Sequence, residues 1–133
     1  MKKSISILFV LIISVLSFAQ NKIDADLEKC LSQKNSTAGE VSCVSSARES
    51  WDKELNKSYL SLSQKLTKIG KKELIEAQRS WILFRDFEFK LIDKYYFDLK
   101  KGTIFYVIAE NKKLEIVKDR AMQIEEYEEQ FDY

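Results

Sequence analysis

The stretch that decides the fold is residues 44–69, which read VSSARESWDKELNKSYLSLSQKLTKI. Apolar residues recur in it every three or four positions, and polar or charged residues fill the positions between them. This is the period of an amphipathic α-helix. The apolar stripe consists of Val44, Ala47, Trp51, Leu55, Tyr59, Leu62, Leu66 and Ile69.

The ends of this helix are predicted from the residues around it. Thr37 is followed three residues later by Glu40. This is the spacing of a capping box, in which each side chain bonds a free backbone N–H at a helix start. Gly70 offers the left-handed conformation that commonly ends a helix. With those limits the helix is about 45 Å long.

Three further helices are expected. A short one covers about Asp24 to Gln33, and a long one runs from about Lys71 to Lys101, ending at Gly102. The long helix carries two adjacent apolar stripes, so we expect it to be covered on more than one side and to lie at the centre. Thr103 can cap a final helix, which the polar step from Glu110 to Lys113 either kinks or splits.

Proline is absent and only three glycines occur, each at a break between periodic segments. Long helices joined by such short turns fold back on their neighbours. The predicted fold is therefore all-α: an antiparallel up-and-down bundle of three long helices plus a short first helix tethered by a disulfide.

That disulfide is expected because Cys30 and Cys43 are the two cysteines and the protein is predicted to be exported. Lys2 and Lys3 precede an apolar run from Ile5 to Phe18. The run is short for a membrane span and ends in a small-x-small pattern. We expect a signal peptide over residues 1–19, one helical domain over residues 20–133, and a secreted or periplasmic location. An uncleaved amino-terminal anchor is the alternative; after cleavage we expect no membrane span.

Composition excludes several classes of function. The sequence has 22 basic and 21 acidic side chains, and loss of Lys2 and Lys3 leaves a formal charge of −1. Nucleic acid is therefore not an expected partner. No histidine is present, which removes Ser-His and Cys-His catalysis and the commonest zinc ligand. We expect a binding protein and no enzyme, with no cofactor and no metal site.

Two dense segments carry aromatic and polar residues at helical spacing, one around Trp51 and one around Trp81. A functional interpretation is a polar constellation that recognises a partner. The structural interpretation, which we favour, is that these side chains satisfy one another between the second and third helices, where Arg–carboxylate pairs set the register. The residues concerned are Trp51, Asp52, Leu55, Asn56, Tyr59, Gln78, Arg79, Trp81, Arg85 and Asp86.

These segments, with the two cysteines before them, resemble the amino-terminal domain of LprI-type lysozyme inhibitors, most strongly from Cys30 to Glu88. Members of that family commonly have a further cysteine shortly after the Arg-Asp pair, where this chain has Phe87, Glu88 and Phe89. The resemblance implies an exported helical domain, some relatives of which bind lysozyme and so protect peptidoglycan. It also implies that the motif residues are structural.

We therefore expect an exported protein that blocks lysozyme stoichiometrically. One candidate surface is a polar loop that would plug the substrate cleft, formed by Lys34, Asn35, Ser36 and Thr37. The other is an acidic patch that would steer a basic lysozyme, formed by Glu125, Glu126, Glu128 and Glu129. A plain helix connection and a solvated helix end are the alternatives for these surfaces. For the whole protein, the rival is a cell-envelope structural or adaptor module that binds another protein or a glycan.

Overall fold

The structure is a computed structural model that describes residues 22–131. Four α-helices follow one another: α1 (Lys22–Ser32), α2 (Thr37–Lys65), α3 (Lys68–Asp93) and α4 (Ile104–Gln130). A π-helical turn, Lys94–Asp98, continues α3. The described residues contain no strand, so the predicted all-α class is confirmed. The signal peptide predicted for residues 1–19 lies outside the described residues.

Three of the predicted helix boundaries were wrong. The third helix ends at Asp93, with the π-helical turn reaching Asp98, and does not run to Lys101. Ser36, and not Thr37, is the N-cap of α2, since its Oγ accepts a hydrogen bond from Gly39 N at 3.1 Å. Gly70 does not end α2, which stops at Lys65. It lies instead in the first turn of α3 and donates its N–H to the cap residue Thr67 at 3.2 Å.

The predicted break at Gly102 is present, because this glycine has a φ of 117°, in the left-handed region that favours glycine. Thr103 makes no side-chain capping bond, against the prediction. Helix α4 is continuous through residues 110–113. The last helix is therefore not split, which the sequence alone left open.

The helix pair at the centre is α2 with α4, and these two helices run parallel. Three contacts set their register: Thr37 Oγ1 lies 3.4 Å from Thr103 Oγ1, Arg48 pairs with Glu110 at 3.0 Å, and Ser61 donates to Glu128 at 2.5 Å. Each contact joins residues more than sixty positions apart, and α3 returns the chain between them.

Small side chains explain why this pair is close. Ala47 on α2 and Ala109 and Ala121 on α4 are all buried. Residues of this size let two helix axes approach at the short end of the usual range. Larger residues fill the rest of the interface, with Leu55 and Ile124 fully buried. The core is thus built by the stripe predicted for the second helix and by one face of α4, formed by Leu114, Val117, Ala121 and Ile124.

Helix α3 is peripheral, so its predicted central position was wrong. Among its described residues Leu74 and Ile92 are buried, while Trp81 and Phe89 are half-buried and pack against the α2–α4 core. Much of its remaining apolar surface faces outward. Periodicity reports which positions are apolar; it does not report how many neighbours the helix has.

Helix α1 is antiparallel to α2 and is held there by the Cys30–Cys43 disulfide, whose Cα atoms lie 5.8 Å apart. The predicted tether is confirmed. No helix within residues 22–131 combines the length and the apolar character that crossing a membrane requires.

Candidate functional site

The apolar residues of the two dense segments, around Trp51 and Trp81, contribute to the core. Trp51 is 2% exposed and Leu55 is 1% exposed, and both belong to the buried α2–α4 cluster. Tyr59 and Trp81 are half-buried against the same cluster. Trp51 also donates its indole N–H to Asp24 of α1 at 3.3 Å. These residues therefore place α1 and α3 around the central pair.

The polar side chains of the same two segments do not pair with one another between α2 and α3, contrary to the prediction from the sequence. Asn56 donates to Asp52 of its own helix, Arg79 pairs with Glu76 at 3.0 Å, and Arg85 pairs with its neighbour Asp86 at 2.7 Å. Gln78 instead accepts from Arg120 Nε of α4 at 3.0 Å. The predicted Arg–carboxylate register pairs between α2 and α3 were therefore wrong.

Three of these polar residues, Asp52, Arg85 and Asp86, line an open cleft of about 390 Å³ between α2 and α3. Its other lining residues are Arg48, Glu49, Lys53, Phe89 and Val117. The lining carries three cations and three carboxylates around one aromatic ring. The structure thus brings together residues that the sequence singled out separately on two helices.

The aromatic ring of Phe89 lies close to two of the cations of this cleft. The guanidinium carbon of Arg48 lies 5.7 Å from its ring centroid and that of Arg85 lies 6.0 Å from it. Both distances are within cation–π range. Arg48 Nε is buried and has no hydrogen-bond acceptor within residues 22–131. A buried donor of this kind calls for a water or a ligand atom.

Sequence reasoning missed the polar residues of α4, which make the cross-helix ion pairs. Glu110 pairs with Arg48, Lys113 with Asp93 at 2.5 Å, and Lys118 with Asp24 at 2.6 Å. The signal was present, because the charged step at residues 110–113 interrupts an otherwise apolar helix. The sequence predicts a kink or a split at this step, whereas its charges set the register of α4 against α2 and α3.

The candidate loop from Lys34 to Thr37 lies at one end of the bundle. Lys34, Asn35 and Ser36 are exposed, the disulfide closes the segment on both sides, and Thr37 rests beside Thr103 at the start of α4. A segment fixed in this way loses little conformational entropy when it docks on a partner.

The candidate acidic patch lies at the opposite end, about 35 Å along α4. Burial, followed by the nearby carboxylates of Glu129, Glu54 and Glu128, raises the pKa of Glu125. Glu128 is bound to Ser61 and Lys65. Three lysines at the start of α3 lie at this same end of the bundle, so the acidic character of the patch is partly offset.

The fold and site together define a small helical domain with a tethered first helix, a mixed-charge cleft and no strand among the described residues. The sequence profile of the lysozyme inhibitor LprI family matches residues 28–124. The chain belongs to this family, which is a family of inhibitors and not of enzymes.

Among solved structures, the chain is similar to the crystal structure of an uncharacterized protein from Burkholderia thailandensis, with a TM-score of 0.78 and 24% sequence identity. The likeness covers 85% of this chain and 56% of that protein, so the chain spans just over half of its length. It supports the fold alone. A search of curated proteins gave no match.

Proposed function

We propose that this protein is exported and inhibits a lysozyme by binding it stoichiometrically, which protects peptidoglycan. The observation that carries the proposal is the match to the lysozyme inhibitor family over residues 28–124. The disulfide between Cys30 and Cys43 is consistent with an oxidising compartment outside the cytosol.

The end of the bundle that carries Lys34, Asn35 and Ser36 is the contact surface that we favour. Lysozyme cleaves its substrate with two carboxylates in an open cleft, so a rigid polar protrusion can block it. This loop is exposed, is closed by the disulfide, and rests on the start of α4, so it is already ordered before binding.

The acidic patch has a different role in this proposal. It lies about 35 Å from the loop, several times the Debye length of about 8 Å at physiological salt. At that salt its charges are screened from a partner docked on the loop. They can steer the encounter at low ionic strength, where the Debye length reaches about 30 Å at 0.01 M, so removing them lowers the association rate at low salt and reduces its dependence on salt.

A titration tests the function. Purified protein is added to a fixed amount of lysozyme, and the clearing of a suspension of bacterial cell walls is recorded. We expect lysis to stop near one equivalent for tight binding. Full lysis at a large excess over every lysozyme class tested contradicts the proposal.

Two sets of exposed variants locate the surface once inhibition is seen. Asn35→Arg in the loop should weaken inhibition at least ~10-fold, because it adds bulk and charge at the contact. Glu125→Lys with Glu129→Lys, at the far end, serves as the matched control and should leave inhibition at physiological salt unchanged, altering only the association rate at low salt. Inhibition that is unchanged by Asn35→Arg places the contact elsewhere.

The cleft between α2 and α3 favours a second candidate, an envelope adaptor that binds a polar ligand such as a glycan. Its volume is about 390 Å³, and the cations Arg48, Lys53 and Arg85 line it beside the Phe89 ring. Ligand sites commonly have volumes of this order. Calorimetry with soluble peptidoglycan fragments separates the two candidates. Binding that is lost in Arg85→Met, without inhibition of lysozyme, supports the adaptor.

A further inference from the structure

The connection between α3 and α4 exposes large apolar side chains. Residues 97–106 read FDLKKGTIFY, and four of them are between 39% and 68% exposed. We call these four the apolar tip: Phe97, Leu99, Ile104 and Tyr106. The connection between α1 and α2, residues 33–36, reads QKNS and is polar throughout, as surface connections usually are. The apolar tip is therefore exceptional, and an exposed group of this kind indicates a partner.

Aromatic contacts hold the apolar tip in place. The rings of Phe97 and Tyr106 lie 4.9 Å apart, and those of the half-buried Tyr96 and Phe105 stack at 6.2 Å. Both contacts join the π-helical turn after α3 to the start of α4. The two aliphatic residues of the tip are thus presented on an ordered support, which lowers the entropy lost on binding.

The end of the bundle that carries the apolar tip is also basic. Thr37 at the start of α2 lies beside Thr103 before α4, so the two connections are neighbours. Residues 29–40 and 94–106 together carry five lysines against two acidic residues. The lysines, all exposed, are Lys29, Lys34, Lys94, Lys100 and Lys101.

These lysines are free to meet an anionic partner. Within the part of the chain that the structure describes, neither Lys100 nor Lys101 forms an ion pair with a carboxylate. Lys94 pairs with Asp98 at the surface, and a pair of that kind contributes little to stability and can exchange. The partner that this end favours therefore carries negative charge.

We propose that the apolar tip and the lysines around it bind the surface of a bilayer that contains anionic phospholipid. The lysines meet the lipid phosphates. Leu99 and Ile104 enter the boundary between headgroups and acyl chains, and the Tyr106 ring lies at headgroup level. A soluble polyanion would offer the charge without an apolar phase, whereas a bilayer surface offers both.

This inference goes beyond the proposed function and uses the same end of the bundle. Lys34, Asn35 and Ser36 lie beside the apolar tip, so protein bound to a bilayer does not present them to lysozyme. Lipid binding is measured without lysozyme and inhibition is measured without vesicles, so either proposal can fail alone.

Sedimentation with vesicles tests the lipid contact. Protein purified from cells that express the full sequence is mixed with vesicles of phosphatidylcholine, or of phosphatidylcholine and phosphatidylglycerol in equal parts. We expect binding to the anionic vesicles alone, and we expect it to weaken as salt rises. Protein that stays in the supernatant with anionic vesicles, or that binds both kinds equally, overturns the proposal.

A pair of charge variants tests the lysines. Lys100→Glu with Lys101→Glu should weaken binding to the anionic vesicles at least ~10-fold. Lys71→Glu with Lys72→Glu is the matched control, because this exposed Lys-Lys pair lies at the opposite end of the bundle and gives the same change in net charge. It should weaken binding less than ~3-fold. Equal losses would mean that net charge alone attracts the protein, and would reject a contact at the apolar tip.

Insertion is tested with two exposed leucines. Leu99→Ser should weaken binding to anionic vesicles ~5-fold or more, because the side chain leaves the acyl boundary. Leu60→Ser, on α2, is the matched control, since Leu60 is 60% and Leu99 is 68% exposed and Leu60 lies about 35 Å along the bundle from this end. It should leave binding unchanged. If Leu99→Ser also leaves binding unchanged while thermal unfolding shows an intact fold, the contact is made by charge alone and insertion is rejected.

Discussion

Asp24 joins three helices through two contacts. It accepts the indole N–H of Trp51 on α2 at 3.3 Å, and it pairs with Lys118 on α4 at 2.6 Å. Lys118 Nζ in turn lies 5.3 Å from the centroid of the Trp51 ring, within cation–π range. One carboxylate therefore fixes where the amino end of α1 lies on the central pair, while the disulfide fixes the other end.

Replacing Asp24 should destabilise the fold measurably. Asp24→Ala leaves the Trp51 N–H without an acceptor and Lys118 without its partner, which costs about 1–2 kcal/mol of unfolding free energy. Asp26→Ala is the matched control on the same helix, since Asp26 is exposed and pairs with Lys22. It should cost less than about 0.5 kcal/mol. Urea denaturation measures both, and equal losses would contradict this role for Asp24.

Glu125 shows how crowding of like charges affects stability. Burial and three neighbouring carboxylates raise its pKa above the value it has in the unfolded chain. A group shifted in this direction contributes stability below its unfolded pKa of about 4.3, and that contribution is lost as the pH rises through the folded pKa. At neutral pH the ionised side chain therefore opposes folding.

Glu125→Gln should stabilise the protein at pH 7. We expect a gain below about 0.5 kcal/mol, because the side chain is largely exposed and screened by salt. The gain should disappear below about pH 4 and shrink at about 1 M salt. Thermal unfolding over this pH range measures it. A gain that is the same at pH 3 and pH 7 would mean that ionisation is not the cause.

At the scale of the element, the pattern at the start of α2 predicted correctly that a helix begins there, but it predicted the wrong capping residue. Thr37 and Glu40 have the spacing of a capping box, yet the cap is Ser36, one position earlier. Both residues are good caps, and the choice depends on where the tethered α1 and the start of α4 place the chain. The presence of the helix could be predicted from its own residues, whereas its first residue depended on tertiary contacts.

The two candidate caps should lose different amounts of stability when each is replaced by alanine. Ser36→Ala removes the acceptor of the Gly39 N–H and should cost about 1 kcal/mol of unfolding free energy. Thr37→Ala should cost less than about 0.5 kcal/mol, because Thr37 is already a helical residue and its contact with Thr103 is long. Denaturant unfolding compares them. A larger loss for Thr37→Ala would favour the capping box predicted from the sequence.

At the scale of the whole molecule, the sequence predicts the number of long helices, the disulfide and the apolar faces, because each depends on local spacing. It does not predict which faces meet. Helix α3 has the widest apolar surface, yet α2 and α4 form the centre because Ala47, Ala109 and Ala121 let those helices approach closely. That choice depends on small side chains distributed over residues far apart in the chain.

The candidate site, too, could be predicted only in so far as it depends on local spacing. Asp52, Arg85 and Asp86 were selected from two helices, and the structure places them in one cleft. Arg48 and Phe89, which organise that cleft, carry no motif of their own. Their role becomes visible once the antiparallel register of α2 and α3 is known.

The parallel pairing of α2 with α4 determines when folding can be completed. A polypeptide emerges from the ribosome amino end first, and α4, the partner of α2, is made after α1, α2 and α3. Until then these three amphipathic helices lack the non-local contacts of the α2–α4 core. That core therefore cannot form before residues 104–130 have been synthesised.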